Sequence, residues 1–172
     1  MRRAAVLVVL LLAACASEGR SPSSPAAPGA AHVVRPVDGD TLVVDIGGHE
    51  ERVRLIGIDT PESVAPDRPV ECFGPEAKAR TAELLPAGTA VRLERDVEAR
   101  DRYDRLLAYV YRDEDDVLVN LLLVEEGFAE SISYPPNVAH QGELDAAEAA
   151  ARAAGKGLWP VCGGTNAPIG SG

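Results

Sequence analysis

Val53-Arg54-Leu55-Ile56-Gly57-Ile58-Asp59-Thr60-Pro61-Glu62 is the stretch on which the rest of this chain turns. Its first half is a run of Val, Leu, Ile and Ile, the composition of a buried strand. Arg54 interrupts that run. A guanidinium in so apolar a strand requires an anion, because an unpaired buried charge is very costly. Asp59, Thr60 and Glu62 gather just beyond the strand end, and Pro61 fixes the backbone between them. One cation and two carboxylates are therefore expected at the mouth of a sheet.

Working outward, Val33 to Val37 and Leu42 to Ile46 have strand composition, with Asp38-Gly39-Asp40 between them. A glycine there permits a bulge that re-aims its neighbours. Gly47-Gly48 is a hairpin signal feeding a long strand predicted from His49 to Ile58, so the three strands form a meander. Ser63 to Gly74 reads as a loop, broken by Pro66, Asp67 and Pro69. A helix is predicted over Glu76 to Leu85, with Pro75 in its first turn. Ala90 to Glu94 and Leu106 to Tyr111 supply a fourth and a fifth strand, and Asp113 to Asp116 an acidic turn. Val119 to Glu126 reads as a short helix closed by Gly127, and His140 to Ala154 as a third helix ending at Gly155. Gly157-Leu158-Trp159 then packs back. The predicted fold class is α+β, mainly β: a five-stranded, OB-fold-like Greek-key barrel with three helices.

The ends have a different character. Residues 1–15 carry Arg2 and Arg3, then an apolar run from Ala4 to Ala14 too short to anchor stably across a bilayer. Leu12-Ala13-Ala14-Cys15 is similar to the cleavage box of bacterial lipoproteins, in which the cysteine is diacylated and becomes the new N-terminus. A plain secretory signal is the other reading. Either one takes the domain out of the cytoplasm, as a membrane-anchored lipoprotein or a secreted protein. Residues 16–31 are rich in Ser, Pro, Ala and Gly and read as a flexible tether. The folded domain is expected over 32–162 and a disordered tail over 163–172.

The chain of 172 residues has a formal net charge of -10. Phosphate binding cannot rest on a general positive field here and must rest on a few placed arginines and a metal. With Cys15 assigned to the leader, Cys72 and Cys162 remain. In an exported domain, with no histidine or further cysteine near either, the pair reads as a disulfide rather than a thiol or metal site.

Asp40 and Asp59 both stand at strand ends one hairpin apart in sequence. Two carboxylates brought close repel unless a cation lies between them, and oxygen ligands without His or Cys select a hard ion, Ca²⁺ or Mg²⁺. As an isolated fragment Asp-Gly-Asp is equally a turn former. Arg54 and Arg105 at the rim can hold the equatorial oxygens of a phosphate under attack, or simply neutralise Asp40, Asp59 and Asp104. Glu62 lies within reach of a water beside such a metal, as a general base, or is a solvated loop acid. Tyr103 and Tyr134 can stack on bases or cover loops. Tyr109 and Tyr111 share one face of the fifth strand and read as barrel wall. His32, His49 and His140 show no partnering pattern.

Taken together, several segments resemble the staphylococcal nuclease (thermonuclease) family. They are Val37 to Thr41, Arg54 to Glu62, Gly74 to Ala77, Asp101 to Val110 and Gly157 to Trp159, in family order. The resemblance covers about His32 to Trp159 and implies an OB barrel with three helices. It implies that Asp40 and Asp59, with the Thr60 backbone carbonyl, hold one Ca²⁺. Glu62 would activate the attacking water, Arg54 and Arg105 would hold the phosphate, and Arg102 and Tyr103 would contact a terminal phosphate. The implied reaction cleaves DNA and RNA at the 5′ P–O bond and leaves 3′-phosphates. Asp104 departs from the family pattern, which has glycine there, and adds a negative charge beside Arg105. The competing reading is a non-catalytic OB module that binds nucleic acid or protein.

Overall fold

The computed structural model describes residues 31–63 and 70–167. The leader, Cys15 and nearly all of the tether lie outside the described residues. Strands β1 (Ala31–Asp38), β2 (Thr41–Ile46) and β3 (His49–Leu55) form the expected antiparallel meander. Short strand β4 (Ile58–Asp59) follows, then helix α1 (Gly74–Leu84), β5 (Ala90–Glu94) and β6 (Leu106–Arg112). A two-residue strand β7 (Val117–Leu118) leads into α2 (Val119–Glu125), followed by β8 (Glu130–Ser131), α3 (Gln141–Ala153) and one turn of helix, α4 (Trp159–Cys162).

The sheet runs β3-β2-β1-β5-β6-β7, and β3 also pairs with β6. That last pairing is parallel, with Val53 opposite Leu106 and Leu55 opposite Ala108. It closes β1, β2, β3, β5 and β6 into a five-stranded barrel and removes two open edges. The interior is aliphatic. Val33, Leu42, Val44, Val53, Leu55 and Val110 fill it, and Leu123 of α2 and Leu144 of α3 join the same cluster. Among the described residues no helix is long and apolar enough to cross a membrane.

Asn120 is the one polar side chain that α2 brings into this apolar region with complete burial. Its amide nitrogen donates to the Ile56 carbonyl at 2.9 Å, and its oxygen accepts from the Val110 N–H at 2.9 Å. It therefore satisfies backbone groups where the β3–β6 seam runs out.

The long third strand is shorter than predicted. It ends at Leu55, not Ile58, because Gly57 adopts φ 78° and turns the chain. A Cβ on Gly57 would lie 2.5 Å from Cδ1 of Leu144. Ile58 and Asp59 then pair with Ser131 and Glu130 in a separate two-stranded sheet. Cys72 and Cys162 are bonded, closing a sequence separation of 90, a cross-link worth at most about 4–5 kcal/mol in the chain-entropy account. Part of the expected disordered tail is also tied down. Thr165 N donates to Glu130 at 2.7 Å, and Cys72 N donates to the Ala167 carbonyl at 2.8 Å.

Candidate active site

The β1–β2 turn places Asp40 directly before Thr41, and Thr41 is the register partner of Arg54 on β3. Neighbouring strands thus set Asp40 beside the Arg54 guanidinium. The Gly57 turn brings Asp59 back to the same guanidinium. One nitrogen, Nη2 of Arg54, stands 3.3 Å from Asp40 Oδ2 and 3.1 Å from Asp59 Oδ1. Its Nη1 donates to the Leu55 carbonyl at 2.8 Å. The cation that interrupts the apolar strand therefore has its anions, as a buried guanidinium must.

Thr60 fixes Asp40. Its N–H and its hydroxyl both donate to Asp40 Oδ2 at 3.1 Å, while the Thr41 hydroxyl donates to Oδ1 at 3.0 Å. Gly39 makes this approach possible, since a Cβ there would come within 2.7 Å of the Thr60 hydroxyl oxygen. Burial pushes the Asp59 carboxyl up to about 6, with the charge of Asp40 adding to it and Arg54 pulling the other way. One guanidinium does not fully balance two carboxylates held this close.

Both aspartates line an open cavity of about 570 Å³ together with Arg54, Glu62, Arg105 and Tyr103. Thr60, Arg102 and Tyr134 line it too, as do Arg52, Glu71, Asp101 and Asn166, which the motif reading left unassigned. The candidate residues from four separated segments are thus collected in one hollow. Cys72 and Cys162 form the bridge outside it.

Arg105 is carried by the turn before β6. Its Nε donates to Asp101 Oδ2 at 2.7 Å, and the other oxygen of Asp101 accepts from the N–H groups of Tyr103 and Arg105 at 2.9 and 3.0 Å. Burial raises the Asp101 carboxyl, but the hydrogen bonds from Arg105 and Tyr103 outweigh it and hold the group below its ordinary value. Asp101 is the organiser of this turn. Its only sequence signal is its position two and four residues before the N–H groups it accepts from. Arg102 lies over the Tyr103 ring at 4.7 Å. Asp104 is turned away from Arg105: its carboxylate lies 3.6 Å from Arg100 Nη1, and its backbone has φ 63°. The left-handed conformation accounts for a glycine serving at this position.

His140, which showed no partnering pattern in the sequence, has three partners. Its ring packs edge-on against Tyr109 at 4.4 Å, with Nε2 3.0 Å from Glu94 and Nδ1 3.4 Å from Glu143.

The family described as staphylococcal nuclease homologue matches residues 52–161. The chain is 42% identical over 127 residues to the thermonuclease of Staphylococcus intermedius, spanning 74% of each protein. It is 40% identical over 127 residues to the thermonuclease of Staphylococcus hyicus, 74% of this chain and 73% of that one. Endonuclease YncB of Bacillus subtilis is 37% identical over 131 residues, 75% of this chain and 61% of that protein. The chain belongs to the staphylococcal nuclease family.

Among the described residues no group of three or more His, Cys, Asp or Glu side chains forms a ready metal cluster. The donors that do converge are the two carboxylates on Arg54, with neither nitrogen nor sulfur among them. Such a set fits a hard cation that completes its shell with carbonyl, water and phosphate oxygens.

Proposed function

We propose that this protein is a calcium-dependent nuclease that hydrolyses phosphodiester bonds of DNA and RNA at the 5′ P–O bond, leaving 3′-phosphates. The observation that carries the reading is the convergence of Asp40 and Asp59 on one nitrogen of Arg54, inside a cavity shared with Glu62 and Arg105. The kinship with thermonucleases and an endonuclease supports it.

Asp40, Asp59 and the Thr60 carbonyl would hold the ion. When bound, Ca²⁺ supplies Lewis-acid polarisation of the phosphate and a place for a water. Glu62 would serve as the general base for the attacking water. Arg54 and Arg105 bind the equatorial oxygens, where negative charge grows, and Asp101 orients Arg105 for this. Arg102 and Tyr103 engage a flanking phosphate, and Tyr134 offers a stacking face to a base. In a chain of net charge -10, phosphate contact rests on individually placed arginines, Arg52, Arg54, Arg102 and Arg105, in a cavity that also carries acids.

The reading extends to location. The leader with Cys15 supports an extracytoplasmic protein held to the membrane by a lipid, or secreted if the leader is removed whole. A disulfide agrees with an oxidising compartment. The test is digestion of end-labelled DNA and RNA by the purified protein with Ca²⁺ and with chelator. The expected result is calcium-dependent cleavage to 3′-phosphate ends. Nucleic acid binding with intact substrate in both lanes would instead identify a non-catalytic OB module.

A further inference from the structure

Glu71 is unused by the chemistry above, yet it lines the cavity. One of its carboxylate oxygens accepts two backbone N–H groups, from Glu62 at 2.9 Å and from Asn166 at 3.3 Å. Its own N–H donates to the Glu62 carbonyl at 2.9 Å. The backbone of Glu62 is therefore gripped through both its N–H and its carbonyl by one residue nine positions away. The next residue, Cys72, donates its N–H to Ala167 and is bonded to Cys162. On its other side the C-terminal segment is tied to Glu130, which takes the Thr165 N–H at 2.7 Å and hydroxyl at 3.0 Å. Glu130 is also the register partner of Asp59. The segment thus spans from the loop carrying Glu62 to the strand paired with Asp59, and sets Asn166 at the cavity wall.

We infer that Glu71 is a positioning residue for Glu62, and that the Cys72–Cys162 bridge keeps the C-terminal segment on the same carboxylate oxygen. Cleavage then depends on the bridge being oxidised. This rests on the reading of Glu62 as the general base. A base displaced by about 1 Å loses on the order of a hundredfold in rate, so a grip on its backbone is a catalytic requirement as well as a structural one. Reduction by a dithiol breaks the S–S bond, gives two protein thiols and leaves the dithiol oxidised, with no other co-reactant.

The test uses the oxidised protein, the Glu71→Ala and Glu71→Gln variants, and the wild type reduced by a dithiol while folded. Two readouts are taken: kcat and KM on labelled DNA with Ca²⁺, and hydrogen exchange at the Glu62 and Asn166 amides. Glu71→Ala is expected to lower kcat by roughly 10- to 100-fold with little change in KM, and to speed exchange at both amides. Glu71→Gln retains an acceptor oxygen and should restore most of kcat. Reduction should lower kcat and speed exchange at Asn166. A Glu71→Ala protein that melts lower but turns over at the wild-type kcat would overturn the inference. So would a Gln variant no better than Ala, or unchanged exchange after reduction. Should wild type cut nothing in Ca²⁺, the nuclease reading fails, while the exchange rates still judge the grip on Glu62.

Discussion

Asp40 receives two hydrogen bonds from Thr60, one from the backbone and one from the hydroxyl, both at 3.1 Å and both on the same oxygen. The hydroxyl bond is separable from any carbonyl ligation by Thr60. Thr60→Val keeps the side-chain shape and the backbone but removes one donor. Partners that orient a ligand typically matter by about 10- to 100-fold in metal affinity. Thr60→Val should weaken Ca²⁺ binding within that range, as read by calorimetry, with kcat at saturating Ca²⁺ much less affected.

Asp59 gives a pH dependence. Its folded carboxyl is raised from 3.8 to about 6. Between those values the folded state holds the proton more tightly, so this group's contribution to stability falls as pH rises through the window. Above pH 6 the Asp59 carboxyl of metal-free protein is ionised. Added Ca²⁺ should therefore raise Tm most above pH 6, and the increment should shrink as pH falls and a proton competes for Asp59. Thermal melts with and without Ca²⁺ from pH 5 to 8 check this. An increment independent of pH would mean that Asp59 is not a ligand.

Glu62→Ala should lower kcat by about 10²–10⁴, the usual contribution of a general base. The calcium-induced rise in Tm should persist, because Glu62 is not placed among the ligands. Paired melting and turnover measurements separate loss of the base from loss of the ion.

The meander, the turn at Gly47-Gly48 and the helix positions were legible because each leaves a local mark: period, breaker or cap. The parallel closure of β3 on β6 leaves none, since Val53 and Leu106 meet across about fifty residues. The end of β3 was misplaced because Ile56 and Ile58 continue the apolar pattern across Gly57, and backbone handedness does not show in hydropathy. The interrupted strand called for anions beside Arg54 and pointed to Asp59 and Glu62; Asp40 was legible only as a neighbouring strand-end acid, and its contact with Arg54 was one of two open readings. Asp101 and Glu71 escaped charge reasoning because they act by accepting backbone N–H groups, a task any loop carboxylate can perform.

Asp104 stands in left-handed backbone and points to Arg100 rather than Arg105. Asp104→Gly should raise stability by about 0.5–1 kcal/mol, the relief of left-handed backbone less the extra chain entropy of glycine, with KM for nucleic acid nearly unchanged. Chemical denaturation and steady-state kinetics test the two halves. A marked fall in KM would mean that this carboxylate repels phosphate.

Asn120→Ala would strand the Ile56 carbonyl and the Val110 N–H inside the fold. A loss of roughly 3 kcal/mol is expected from unmet buried polar groups and the vacated space. Urea unfolding measures it, and a loss below about 1 kcal/mol would mean that water enters to replace the amide.

Gly57 ties tolerance of mutation to catalysis at a single backbone position. Any side chain there meets both the left-handed conformation and Leu144, and the same bend delivers Asp59 to its place. In a mutational library, replacements at 57 should be depleted twice over. A stabilising change elsewhere would bring back soluble protein without bringing back cutting, so solubility and activity screens should part company at this residue.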